Sequence, residues 1–293
     1  NNGDSAIGRA IRLIEVEDTT LYNNTIDSND YSGIVLTESS KNKIVHNIIK
    51  GNGKYGIQIL NDATKSANNT IKDNTINDNS NVAILNNGIF TTIFNNTIKY
   101  NEDVGIKITD EGARSTIESN NLVDNEGQSI QIQASNIVIK LNAIDGDSSS
   151  IAVVILDSNS VSIENNTIEG GLQGIKVQNS TNAFIYKNTV KSNSGYGIYL
   201  LMDSTSGEVK NNNLTDNEDN AIVISASNST EIFNNTVKEN AGYGLVALNS
   251  KLLVVKGNTI EENDGGLKYN DCDYCNLTFN KVDENGGYGL WLL

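Results

Sequence analysis

The chain has 293 residues, with 21 basic and 36 acidic side chains, and a net charge of −15. A field of that sign opposes nucleic acid and anionic membrane surfaces, and no apolar run approaches the ~20 residues of a membrane span. Asn supplies 48 residues and Pro none, yet the aliphatic residues recur too regularly for a disordered polymer.

Residues 1–9 read as a lead-in and residues 10–293 as the coils of a single domain. The first residue is Asn rather than Met, so the chain is expected to be a mature or trimmed product whose export signal is already gone. The phrase Asn-Asn-Thr-Ile/Val then recurs from Asn23, Asn95, Asn165 and Asn234. It belongs to a column of Asn placed two residues before an aliphatic: Asn24, Asn47, Asn74, Asn96, Asn120, Asn142, Asn166, Asn188, Asn212, Asn235, Asn258 and Asn280. Its eleven steps span 256 residues, about 23 each; the largest, 27, maps to an insertion around Asn61 to Ala67. A second column five residues on reads Asn29, Asn52, Asn79, Asn101, Asn125, Asp147, Gly171, Asn193, Asn217, Asn240, Asn263 and Asn285. Because Asp and Gly also tolerate a left-handed backbone, this column is expected at left-handed turns. Each repeat opens with a small residue, an aliphatic, any residue and an aliphatic, as in Gly33-Ile34-Val35-Leu36 and Gly174-Ile175-Lys176-Val177.

Aliphatic alternation with period two over short runs predicts strands, three to a repeat, and no stretch holds a helical period. A three-strand repeat cannot close a core alone. Stacking coil on coil lets each strand bond to its neighbours above and below, with inward Asn amides donating along the stack. The predicted fold is an all-β, three-sided parallel β-helix of about 12 coils with Asn ladders.

These columns resemble the right-handed parallel β-helix repeat superfamily, which includes pectin-lyase-like proteins, periplasmic copper-binding maturation proteins, and archaeal and bacterial surface proteins. The resemblance covers residues 10–293 and implies a right-handed coil. It does not by itself imply a function, because enzymes and inert rods share the fold.

Polysaccharide lyases and hydrolases of this superfamily work on the outer face of the Gly-Ile-x-Ile sheet. The corresponding column reads Arg12, Val35, Gln58, Ala83, Lys107, Gln131, Val154, Lys176, Tyr199, Val223, Val246, Lys268 and Trp291, without a carboxylate. The acids that follow the strand, Glu38, Asp62, Asp110, Asp157, Asp203 and Asp271, read as solvated turns. The one His, His46, falls in a column of varied outward residues, and Met202 stands alone, so the copper role of the resembling proteins does not transfer. No metal or other cofactor is expected. Cys272 and Cys275 form a lone Cys-x-x-Cys, read either as a local disulfide or as two thiols. Glycosylation sequons begin at Asn23, Asn68, Asn95, Asn165, Asn179, Asn213, Asn228, Asn234 and Asn276.

The next outward column contains Leu60, Leu85, Leu156, Leu201, Leu248 and Leu293. With Tyr199, Val246 and Trp291 it makes an apolar stripe expected to pack side by side against another copy. The sequence also stops inside an expected strand, at Leu290-Trp291-Leu292-Leu293, so either it is a piece of a longer surface protein or its bare edges are expected to pair head to tail. The leading expectation is a non-enzymatic, extracellular or cell-surface structural or adhesive protein. It would self-assemble head to tail into a filament, sheath or surface layer, with itself and glycans as partners. The alternative is a polysaccharide-binding or polysaccharide-cleaving protein acting near Lys176, Tyr199 and Asp203. A third reading is a periplasmic accessory factor.

Overall fold

The computed structural model describes residues 10–60 and 66–293. The chain divides into two compact units, Asn1–Asp147 and Ser148–Leu293, between which the repeat pattern alone marks no boundary. In the first unit the chain visits three parallel sheets in turn, for example through Ile34–Thr37, Lys43–Val45 and Ile48–Lys50, and then begins the next coil at Ile57–Leu60. Register keeps like over like: Ile34 lies against Ile57, Ile44 against Ile71 and Ile49 against Ile76. The second unit repeats the plan from Ile151–Leu156, Ser162–Glu164 and Thr167–Glu169 onward. The described residues contain no α-helix; a single 3₁₀ turn spans Asp110–Gly112.

Each three-residue strand of the second and third sheets sends its middle residue inward, and the first-sheet strand sends two. Ile34, Leu36, Ile44 and Ile49 are therefore almost wholly buried within one coil. Full burial of such side chains stabilises by about 1.5–3 kcal/mol each. The small residue that opens each repeat is required by close approach: a Cβ on Gly174 would lie 2.4 Å from Val190 Cγ1 and 2.6 Å from the Gly197 carbonyl.

Both Asn columns form ladders. In the first unit Asn24 Nδ2 donates to Asn47 Oδ1 at 2.9 Å, Asn47 to Asn74 at 3.0 Å, and Asn74 to Asn96 at 2.9 Å. In the second unit Asn166 reaches Asn188 at 2.9 Å, and Asn188 reaches Asn212 at 3.0 Å. The second column links Asn52, Asn79 and Asn101 at 2.9 Å per step. Most of these amides also bond a backbone carbonyl of the preceding coil, as Asn74 Nδ2 does with Ile44 O at 2.9 Å.

The left-handed backbone does not fall on the ladder asparagines, as expected from their tolerance of it, but one residue earlier. Asn23, His46, Asp73, Asn95, Ser119 and Leu141 precede the first-column amides of the first unit with φ between 51° and 58°. The reason is directional. The left-handed residue turns its own side chain to solvent and swings the next one inward along the stack.

The third corner uses the same device with serine, a ladder the sequence reading missed. Ser158 N–H donates to Ser180 Oγ at 3.1 Å, and Ser227 N–H to Ser250 Oγ at 3.2 Å. Each hydroxyl turns back to the carbonyl two residues earlier, as Ser250 does with Leu248 at 2.8 Å. The left-handed residue here is Asp157, Asn179, Ala226 or Asn249. The signal was a small polar residue a fixed distance after each first-sheet strand, masked by the abundance of Ser in turns.

Candidate functional site: an aromatic groove on the first sheet

Register on the first sheet corrects one coil of the outward column. Leu85, not Ala83, lies against Gln58 and Lys107. Ala83 is the buried small residue that opens the repeat, in the place held by Gly56 one coil earlier. Consequently Asn87 replaces Leu85 in the next outward column, where its Oδ1 accepts from Thr109 Oγ1 at 2.9 Å.

Much of the apolar stripe is already covered. Leu201 is 8% exposed and Val246 6%, whereas Tyr199, Leu248 and Trp291 are partly exposed and Leu293 is exposed. The face expected to pack against a second copy therefore has less free apolar area than its sequence implies. What is open is a groove of about 420 Å³ in the second unit. Its floor is Val223 and Val246, and Tyr196, Asp219, Tyr243 and Lys268 stand around it.

The sheet and its corner turns fix these groups. Asp219 Oδ1 accepts from the Asn220 backbone N–H at 2.7 Å and from its Nδ2 at 2.6 Å. Asn220 Oδ1 accepts the Tyr243 N–H at 2.8 Å, which anchors the start of the strand Tyr243–Leu248. Lys268 Nζ lies 5.6 Å from the Tyr243 ring centre and 4.5 Å from that of Trp291. Tyr243 and Trp291 are 6.3 Å apart, and Tyr288 extends the aromatic row 5.4 Å beyond Trp291. At the other end Tyr196 and Tyr199 meet edge to face at 5.2 Å. Burial, with Asp219 and Tyr199 adding to it, raises the Tyr196 phenol above its ordinary value. Rings with polar edges beside a shallow apolar floor offer the faces on which pyranose rings stack.

The other candidates lie apart from this groove. Lys176 and Tyr199 are neighbours across adjacent strands, but Asp203 sits at the left-handed corner beyond, its N–H bonded to Ala226 O at 2.8 Å. His46 Nε2 is 3.6 Å from Asp73 Oδ2 and edge-on to Tyr22 at 5.5 Å, at an exposed corner. Cys272 and Cys275 are free thiols. Cys272 occupies the serine-ladder place and donates weakly to Asn270 O at 3.5 Å, while Cys275 points to Ser250 O at 3.9 Å. Burial raises the Cys272 pKa, which keeps it a protonated rung. Of the sequon asparagines, Asn228 is half-buried and the others are exposed; Asn23, Asn68, Asn95, Asn165, Asn179 and Asn234 hold left-handed corners. The insertion expected around Asn61 to Ala67 lies outside the described residues over 61–65.

Residues 1–136 match the family model of the periplasmic copper-binding protein (NosD), and residues 151–293 match the right handed beta helix region. Both units are thereby right-handed parallel β-helices of the pectin-lyase-like fold. Among curated proteins none matches the chain by sequence. The A-module of the mannuronan C-5 epimerase AlgE4 of Azotobacter vinelandii superposes with a TM-score of 0.67 at 13% identity, covering 94% of this chain and 88% of its own. The surface protein and adhesin PfbA of Streptococcus pneumoniae gives 0.67 at 12%, covering 93% and 91%. The Dettilon tailspike protein gives 0.61 at 13%, covering 96% and 61%. At such identities the likeness establishes the fold alone, and these proteins include both an enzyme and an adhesin. The donor set does not fit copper. The stretch matching the copper-binding model contains one His and neither Cys nor Met, and the described residues hold no cluster of three His, Cys, Asp or Glu.

Proposed function

We propose that this right-handed parallel β-helix protein is an extracellular or cell-surface structural module with an adhesive role, and that it holds a polysaccharide in the aromatic groove without cleaving it. The observation that carries the reading is the groove itself, where the Tyr196 and Tyr243 rings stand either side of a floor formed by Val223 and Val246, and Trp291 lies beyond Lys268. A glycoside hydrolase of the usual type needs two carboxylates within about 10 Å. The groove lining includes one, Asp219, which already accepts two bonds from Asn220. A surface adhesin among the structurally similar proteins is in keeping with this role.

The test is affinity electrophoresis of the protein through gels containing neutral or acidic polysaccharides, paired with assays for new reducing ends and for the absorbance of unsaturated products. Retardation without product is expected. Turnover that disappears on Lys176→Ala would replace the binding role with an enzymatic one.

A further inference from the structure

We infer that the groove selects neutral pyranose chains over polyanionic ones; this rests on the glycan-binding reading above. Three observations converge on it. First, the walls of the groove are the Tyr196 and Tyr243 rings, and Trp291 continues the aromatic row 6.3 Å from Tyr243, beyond Lys268. Such faces bind the C–H face of a sugar and gain nothing from carboxylates on it. Second, the charged groups of the lining, Asp219 and Lys268, cancel. The ammonium of Lys268 is moreover engaged by the Tyr243 and Trp291 rings, at 5.6 and 4.5 Å, which favours its remaining between them rather than reaching for an anion. Third, the surrounding field is repulsive to anions: residues 148–293 carry nine Lys, no Arg and 17 acids, so the net charge is 9 − 17 = −8.

Asp219 serves selection in a further way. Its Oδ1 is fixed by Asn220, which leaves Oδ2 to accept a sugar hydroxyl and to repel a uronate at the same place. Tyr196, whose phenol is protonated at neutral pH, supplies an O–H donor nearby.

Trp291 is the one tryptophan of the chain, so tryptophan emission reports on the end of the groove marked by Lys268 and Tyr243. The experiment titrates the whole protein with laminarin and galactomannan as neutral probes and with polygalacturonate and alginate as acidic ones, at low and high salt. Saturable change in Trp291 emission with a neutral probe, at an affinity that salt leaves unchanged within about twofold, is expected. Tyr243→Ala is expected to weaken it about tenfold, Tyr243→Phe to preserve it, and Lys268→Ala to change it less than about threefold. Circular dichroism of each variant separates lost binding from lost fold, and Tyr196→Ala provides a second, independent wall of the groove. Binding of the acidic probes alone, weakened by salt and by Lys268→Ala, would overturn the neutral preference and leave the glycan reading standing. Failure of all four probes, in solution and in the gels, would remove both.

Discussion

Removing one ladder amide from the middle of the first unit should cost far more than any exposed change. Asn96 makes five side-chain bonds: Nδ2 donates to Asn120 Oδ1 at 2.9 Å, to Ile71 O at 3.0 Å and to Phe94 O at 3.1 Å, and Oδ1 accepts from Asn74 N–H at 3.0 Å and Nδ2 at 2.9 Å. In Asn96→Ala, Asn74 Nδ2 keeps its bond to Ile44 O and Asn120 Oδ1 keeps the Asn96 N–H, whereas the buried Asn74 N–H loses its partner. An orphaned buried donor costs about 1–3 kcal/mol, and the two bonds that the two Nδ2 protons share among their three acceptors, at about 1 kcal/mol each, bring the loss to about 3–5 kcal/mol. Thermal unfolding followed by far-ultraviolet circular dichroism should show a midpoint lower by on the order of 10 °C. Asn95→Gly is the matched control. It sits next door in an exposed left-handed corner with φ 51°, where glycine is at ease, and should shift stability by less than about 1 kcal/mol. Equal effects of the two substitutions would refute the assignment of stability to the ladder.

The Tyr269 hydroxyl is buried without a partner, so Tyr269→Phe should raise stability by about 1 kcal/mol, read as a higher unfolding midpoint. Glu261 is held below the ordinary carboxyl value of 4.5 by its hydrogen bonds from Lys238 and Lys281. Its stabilisation is therefore present above that value and lost as pH falls through the depressed folded pKa. Glu261→Gln should flatten the acid limb of a stability-against-pH curve, and an unchanged limb would refute the clasp. Cys272→Ser should extend the serine ladder with a stronger donor, leaving stability the same or raising it by up to about 1 kcal/mol in equilibrium denaturation.

The coil was legible because its signals are local and repeated. Asn24 to Asn280 share one offset from an aliphatic residue, and stacked amides are the economical way to satisfy them inside. The corner geometry was not, because Asn is common at left-handed turns and also on the ladder, and only the folded backbone separates Asn23 from Asn24. Register slipped at Leu85 because Ala83-Ile84-Leu85 and Gly56-Ile57-Gln58 align only once Ala is admitted to the small-residue column. Trp291, Lys268, Val246 and Val223 were readable as one outward row. Tyr196, Asp219 and Tyr243 were not, since they reach the groove from turns and strand starts whose side-chain direction the repeat does not encode.

Chain length and axial pitch are uncoupled in this molecule. Asn47 and Asn74 are separated by 27 residues and Asn74 and Asn96 by 22, yet the amide bonds closing the two steps measure 3.0 and 2.9 Å. The longer step thus leaves the rungs on either side at their ordinary spacing. A foreign epitope added to a turn between two rungs is therefore expected to leave the amide stack intact, which makes such turns natural attachment points for display.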